Sequence, residues 1–373
     1  MARGLYLGLI SGTSADGIDA ALIDCDPSGE GRIELIAGRM FPYPADLREH
    51  ALALGQPDTR IDLDALGEVD ARIGEQFAEA ALGLLAEAGI APYRVRAIGS
   101  HGQTIRHRPE GSHPFSMQIG DAARIAERTQ IATVADFRRR DIAAGGQGAP
   151  LAPAFHQAVF ATDVESRAVL NLGGIANLTL LPRHGPVLGF DTGPANGLMD
   201  AWIALTRGAS FDRDGALAAQ GEVDQDLLRA LLADPWFALT GPKSTGREQF
   251  NLEWLRPRLA ALGNVPGDAD VQATLCALSA ETIAASLIRE MPDCARLLIC
   301  GGGVHNPVLM RMLSDRLDGV CVESTAALGL DPDLIEAMTF AWLAARTMVG
   351  LTGNLPSVTG ATRECVLGAI HPR

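Results

Sequence analysis

The chain lays out one plan twice. Each half opens with apolar strands joined by tight glycine turns and closes in helices, with no fixed-period repeat of residues. In the first half, residues 5–10 are an apolar run, residues 11–17 a Gly/Ser/Asp-rich turn, and residues 18–24 a returning run. That pattern predicts a β-hairpin. Residues 33–38 supply a third strand and residues 66–88 a helix, stopped by Gly89. Residues 95–99 read as a short buried strand leading into the polar stretch 100–104. Asp121 is the expected N-cap of a helix over 122–128, and a strand over 131–135 ends at Asp136. In the second half, strands are expected over 167–171, 175–180 and 187–191. Helices follow over 197–207, 225–233, 252–262 and 268–290. A buried strand over 297–300 then runs into three glycines, followed by a helix over 307–315, a strand over 319–323 and a helix over 334–349.

A chain of 373 residues, 47% of them hydrophobic, is long enough for two cored domains. Residues 141–153 are rich in Gly, Ala and Pro and make a candidate hinge. The expected division is 1–138 plus roughly 345–373, with the tail packing back, and 139–344. A formal net charge of −14 argues against a nucleic-acid surface. The first ten residues hold too short an apolar run for a secretory signal. Apolar helical stretches such as 273–288 are broken by Ser279, Glu281 and Ser286, short of the ~20 apolar residues of a membrane span. Six cysteines without C-x-x-C spacing read as buried thiols of a reducing cytosol. The expectation is a cytoplasmic protein with neither nucleic acid nor membrane as partner.

Four turns carry residues suited to chemistry. Gly12, Thr13, Ser14, Asp16 and Gly17 form a donor-rich turn that can aim N–H groups and hydroxyls at a phosphate. Without a following Lys it is not a Walker A loop; a plain hairpin turn is the other reading. Asp16 and Asp19 are candidate acceptors, through water, for a nucleotide-borne Mg²⁺. Gly301, Gly302 and Gly303 follow a buried strand, where a flat purine can lie against bare backbone; a tight strand-to-helix turn is the alternative. Asp191, with Thr192 and Gly193 behind it, stands at a strand end and is either a rigidly held base or a solvated turn. His101, Gln103, Asp136, Arg138 and Asn171 also fall at strand ends, where α/β sheets bind ligands. The stretch 243–247, with Lys243 and Arg247, either clamps phosphate or is a solvated loop. Glu336 stands early in the last long helix, an ordinary place for an acid.

Together these strings resemble the anhydro-N-acetylmuramic acid kinases of the acetate and sugar kinase/Hsp70/actin superfamily, over essentially the whole chain. The resemblance rests on residues 8–19, 100–104, 135–138, 145–150, 171–177, 189–196, 243–248 and 301–306, in that order. Ala15 departs from it, where the family often has a larger apolar residue. The resemblance implies an α/β fold of two actin-like (ribonuclease H-like) domains with ATP in the interdomain cleft. Residues 12–19 and 189–196 would be phosphate loops, with Asn171, Gly173 and Gly174 beside them, and 301–303 part of the adenosine site. The family's catalytic Asp falls on Asp191. The family's substrate is 1,6-anhydro-N-acetylmuramic acid, a cell-wall recycling sugar. Its bridge is hydrolysed as O6 is phosphorylated, with ATP and Mg²⁺. The resemblance also suggests a homodimer.

That chemistry needs a carboxylate to take a proton from the attacking water and a cation for the sugar's lactyl carboxylate. Arg138 is the first candidate cation, with Lys243 and Arg247 as alternatives. His101, Gln103 and Glu336 are expected to face the sugar. Two other functions fit the same residues: another sugar or carboxylate kinase of this superfold, and a nucleotide-gated binding module.

Overall fold

The computed structural model describes residues 3–12, 14–28, 32–56, 60–239, 243–246 and 248–373. It divides into two compact units, Met1–Val159 with Leu334–Arg373, and Phe160–Asp333. Residues 139–159 and 334–344 therefore group with the first unit.

The first unit holds β1 (Gly4–Ser11), β2 (Gly17–Cys25), β3 (Glu34–Pro42), β4 (Val95–Arg108), β5 (Phe115–Ile119), β6 (Thr133–Ala135) and the last strand of the chain, β12 (Ala369–His371). They form one sheet in the order β12-β6-β4-β1-β2-β3, with β5 paired to β4. β1, β2 and β3 run antiparallel, β4 lies parallel to β1, and β6 parallel to β4. The continuous apolar run in β1 follows from burial on both faces. Leu7 and Leu9 pack with Ile73 and Phe77 of the Leu63–Glu87 helix. On the other face the Ile335–Met348 helix comes so close that a Cβ on Gly8 would collide with the Ala337 carbonyl.

The second unit holds β7 (Ser166–Leu172), β8 (Ile175–Leu181), β9 (Leu188–Pro194), β10 (Cys294–Cys300) and β11 (Cys321–Ser324), in the order β11-β10-β7-β8-β9. β7–β8–β9 are antiparallel, and β10 and β11 add in parallel. Counted within its own unit, the first strand of each sheet has an antiparallel meander on one side and two parallel strands on the other, with β12 closing the first sheet antiparallel to β6. This is the ribonuclease H-like arrangement expected of actin-like domains. The Asp268–Glu290 helix is long and apolar enough to cross a membrane by length and composition. Here Val271, Leu275, Leu278, Ile283 and Leu287 are buried in the core of the second unit.

Three local expectations change. Residues 100–104 are not a loop after a short strand: β4 continues through them to Arg108. Gly102, at φ +75°, bends the strand without ending it, and β5 pairs alongside. The Ala45–Gly55 helix and β5 lacked clear sequence signals. The 141–153 stretch lies within the first unit and is tied down there. Asp141 is fully buried; its Oδ2 accepts from the Gly148 N–H (2.8 Å), and its Oδ1 from Asn354 Nδ2 (2.7 Å) and Thr359 Oγ1 (2.8 Å). Asp121 caps its helix as expected, accepting from the N–H groups of Ala123 and Arg124. The tail packs back through β12, which pairs antiparallel with β6.

Candidate active site

Asp191 sits in β9, opposite Asn177 of β8. Its N–H donates to the Lys243 carbonyl at 2.9 Å, which brings the 243–246 segment alongside. Its Oδ2 accepts from the Thr245 N–H (2.9 Å) and the Ser244 hydroxyl (3.1 Å). Among the described residues no donor bonds to Oδ1. Burial pushes the carboxyl up to about 6, against the two hydrogen bonds, which favour the charged form. The group is thus ionised at neutral pH yet more basic than an ordinary carboxylate. One oxygen is held and the other is available to take a proton.

The neighbours of Asp191 divide into support and ligand-facing groups. Lys243 is support. Its ammonium donates to the carbonyls of Trp236 (3.2 Å) and Phe237 (3.3 Å) and lies 4.1 Å over the Trp236 ring. The groups that serve Asp191 are the Ser244 hydroxyl and the Thr245 backbone N–H, while the Thr245 hydroxyl donates to Gln249 Oε1 (2.7 Å); both residues are less conspicuous in sequence than the flanking cations. The signal was a Ser-Thr pair ahead of Gly246. Arg247 lies outside the described residues. Thr192 is buried and donates to the Ala176 carbonyl (3.3 Å), and Gly193 packs closely against Phe237. The Thr192 hydroxyl is thus spent within the sheet.

The β7–β8 turn packs on the start of the helix that follows β9. The carbonyls of Gly173 and Gly174 accept from the first N–H groups of the Asn196–Arg207 helix (3.0 and 3.1 Å). Among the described residues the N–H groups of Gly173 and Gly174 themselves donate to nothing. Two adjacent donors at a strand end suit an anion. Asn171, one turn back, is paired across the sheet with Cys300 and Asn177. The three glycines after β10 differ in kind. A Cβ on Gly301 (φ +81°) would strike the Asn171 side chain, and one on Gly303 would strike Leu172; a Cβ on Gly302 would meet open space. Close packing explains the outer two, and Gly302 alone borders room for a flat ligand.

In the first unit, the turn after β1 is braced from β4. Gln103 Oε1 accepts from the Ser11 hydroxyl at 2.6 Å, and its Nε2 donates to the Gly12 carbonyl at 3.1 Å. The same carbonyl accepts from the Ala15 N–H at 3.0 Å, closing a turn in which Ala15 adopts φ +49° and is fully buried. Gln103 is therefore committed to holding this turn. Gly12 is exposed, Ser14 is half-buried, and Gly17 opens β2. Thr13 lies outside the described residues. Asp16 is exposed and ion-paired to Arg48 at 2.7 Å, and Asp19 is half-buried in β2. Among the described residues no three His, Cys, Asp or Glu side chains cluster as metal ligands. The two Asp residues suit a hydrated ion carried by a nucleotide, held through water, and not a protein-built metal cage.

Arg138 is gripped on two sides. Its Nε–H donates to His101 Nε2 at 3.0 Å and its Nη1 to the Gly148 carbonyl at 2.9 Å. Among the described residues Nη2 has no partner. Burial lowers its pKa to about 10, opposed by Glu336 and Asp141, so it stays charged at neutral pH. His101 is buried; its Nδ1 lies 3.0 Å from the Gly102 carbonyl, and its ring packs 4.6 Å from that of Phe340. That carbonyl requires the proton on Nδ1 and leaves Nε2 as the acceptor for Arg138. Burial and the adjacent guanidinium keep the ring neutral. Both ring nitrogens are thus spent within the protein. Asp136 takes φ +60° at the start of the Phe137–Ala143 helix and pairs with Arg139 at 3.2 Å. Glu336 is exposed in the first turn of the Ile335–Met348 helix, within electrostatic reach of Arg138.

Two units of ribonuclease H-like topology, glycine turns at their strand ends and a buried carboxylate fit a kinase of the actin-like class. Comparison with known proteins gives the family. A family model described as anhydro-N-acetylmuramic acid kinase matches residues 4–373. An anhydro-N-acetylmuramic acid kinase of Xanthomonas campestris pv. campestris is 61% identical, covering 99% of this chain and 97% of the relative. That of Pseudomonas paraeruginosa is 52% identical, covering 98% of each. The chain belongs to the anhydro-N-acetylmuramic acid kinase family. Among solved structures, the (R)-2-hydroxyglutaryl-CoA dehydratase component A of Acidaminococcus fermentans aligns over 92% of this chain and 99% of its own, at 11% identity and a TM-score of 0.48.

Proposed function

We propose that the protein cleaves the 1,6-anhydro bridge of 1,6-anhydro-N-acetylmuramic acid and phosphorylates O6 with ATP. The products are N-acetylmuramic acid 6-phosphate and ADP. The observation that carries this reading is Asp191: one carboxylate oxygen fixed by Ser244 and Thr245, the other available, and a pKa near 6. Such a group can take a proton from water as the water attacks the anomeric carbon. The C1–O6 bond breaks, and O6, gaining the electron pair, attacks the γ-phosphorus of ATP in line. ADP leaves with the electrons of the cleaved P–O bond. Asp191 then returns its proton to solvent.

The other residues bind and orient. Paired N–H groups at Gly173 and Gly174 and the turn at Gly12, Thr13, Ser14 and Gly17 are suited to the phosphates. Thr192 and Gly193 contribute by holding β9, and Gly302 borders the adenosine. Asn171, Gly301 and Gly303 shape the strand ends around it. Asp16 and Asp19 would hold the water shell of a nucleotide-borne Mg²⁺, which would supply neutralisation of phosphate charge. Arg138 offers its Nη2 edge to the lactyl carboxylate, and Glu336 stands close enough to Arg138 to serve the same sugar. Lys243, spent on two carbonyls and an indole ring, supports the loop. The reading includes a cytoplasmic setting, in keeping with unpaired cysteines, and a homodimer, as the family resemblance suggests.

The test is ATP-dependent phosphorylation of the anhydro sugar, with open N-acetylmuramic acid as control. Turnover of the anhydro sugar with little of the open one is expected. Equal turnover of both would favour a plain hydroxyl kinase, with Asp191 deprotonating the substrate.

A further inference from the structure

Arg138 is framed on two sides, and behind the frame stand His101 and Asp141, whose polar atoms are spent within the protein. The Nε–H is taken by His101 Nε2 at 3.0 Å and the Nη1 by the Gly148 carbonyl at 2.9 Å. Neither acceptor is loose. His101 is locked by the Gly102 carbonyl at 3.0 Å and by the Phe340 ring. Gly148 is locked through its own N–H to Asp141 Oδ2 at 2.8 Å. Asp141, fully buried, is held in turn by Asn354 Nδ2 (2.7 Å) and Thr359 Oγ1 (2.8 Å). A buried carboxylate receiving three donors fixes its surroundings, because leaving any of those donors unmet is costly. The planar guanidinium therefore has both its twist and its tilt set by the protein, with one edge left over.

We infer that His101 and Asp141 are positioning residues that fix the Arg138 guanidinium so that its remaining edge reads the lactyl carboxylate of the sugar. This rests on the reading of Arg138 given above. It reassigns His101 from sugar contact to orientation of the cation, and gives Asp141 a part in substrate selection that it exerts from the core. The physical basis is pre-organisation: a guanidinium already held in its binding pose loses less freedom when the carboxylate arrives.

The experiment compares 1,6-anhydro-N-acetylmuramic acid with the same bicyclic sugar lacking the lactyl group. For the acid, KM and kcat are measured; for the lactyl-free sugar, Kd by calorimetry. His101→Leu and Asp141→Asn are each expected to raise KM for the acid about tenfold or more, with kcat within about threefold. Kd for the lactyl-free sugar should stay unchanged. His101→Gln, whose amide oxygen can still accept from Arg138, is expected to recover most of the lost affinity. In an Arg138→Gln background the His101 change should add less than twofold. Equal weakening toward both sugars, or no recovery with Gln, overturns the positioning role. If Asp141→Asn fails to fold, the Leu and Gln variants of His101 decide alone. Failure of the underlying reading has a separate signature: Arg138→Gln itself then weakens both sugars equally.

Discussion

Asp191 draws its chemistry from what surrounds each of its two oxygens. Burial raises the carboxyl to about 6 from an ordinary 3.8; Ser244 and Thr245 oppose this by bonding the charged form. A base works only when ionised, so kcat should be flat above about pH 7 and fall as pH drops through about 6. Removing the Ser244 hydroxyl takes away a bond to the anion, so Ser244→Ala should move that inflection upward by a few tenths of a unit. A pH–rate profile of both proteins checks this. Asp191→Asn should lower kcat about 10³-fold or more while nucleotide affinity stays within about threefold. The same raised pKa has a stability sign. Because the folded value exceeds the unfolded one, ionisation weakens the fold as pH rises from about 4 to about 6. Asp191→Asn should therefore be more stable than the native protein above pH 6, by about 2 kcal/mol after discounting for partial exposure, and no more stable below pH 4. Denaturant unfolding at pH 4 and pH 8 would show it. Asp191 itself was legible in the sequence as a carboxylate between an apolar run and a turn. The identity of its anchors was not: Lys243 and Arg247 stood out by charge, while the hydrogen bonds come from the less conspicuous Ser244 and Thr245.

At the scale of elements, glycine strings were easy to see and hard to apportion. Gly301-Gly302-Gly303 reads in sequence as one purine-facing surface. In the fold, Gly301 and Gly303 are required by the approach of Asn171 and Leu172, and only Gly302 faces open space. Gly301→Ala should thus destabilise the protein through both its φ of +81° and the clash with Asn171. Gly302→Ala should leave the unfolding temperature within about 1–2 °C and raise KM for ATP several-fold. Thermal unfolding beside ATP titration separates the two, and a reversed pattern would contradict the assignment. The stretch 100–104 teaches the complementary lesson. A Gly between polar residues reads as a loop, yet β4 continues, since Gly102 absorbs the bend in a positive-φ conformation while β1 and β5 keep pairing on either side. The partners that decide this are far away in sequence, so local pattern could not reveal it. Likewise β5 alternates weakly, exposing Phe115 and Met117, and owes its extension to pairing with β4.

For the whole molecule, the doubled plan was the most legible feature, because strand and helix periodicities repeat in the same order in each half. What the pattern could not place was the chain's division. The Gly/Ala/Pro stretch after Asp141 looks like a linker by composition, but the buried Asp141 bonds it to Asn354 and Thr359, more than two hundred residues on. That return of the tail implies a measurable dependence. Deleting residues 351–373 removes β12 and two of the three donors to Asp141. It should destabilise the first unit while leaving amide protection across β7–β11 of the second largely intact. Hydrogen exchange resolved by peptide would report this, and uniform loss of protection in both units would contradict it.

In the proposed reaction water, activated by Asp191, opens the anhydro bridge in the same event that phosphorylates O6. The most direct measurement is the ATP-dependent reaction run in ¹⁸O-labelled water and quenched before the free anomeric hydroxyl exchanges. One labelled oxygen is expected at C1 of the product sugar and none in the transferred phosphoryl group. An unlabelled C1 would contradict it.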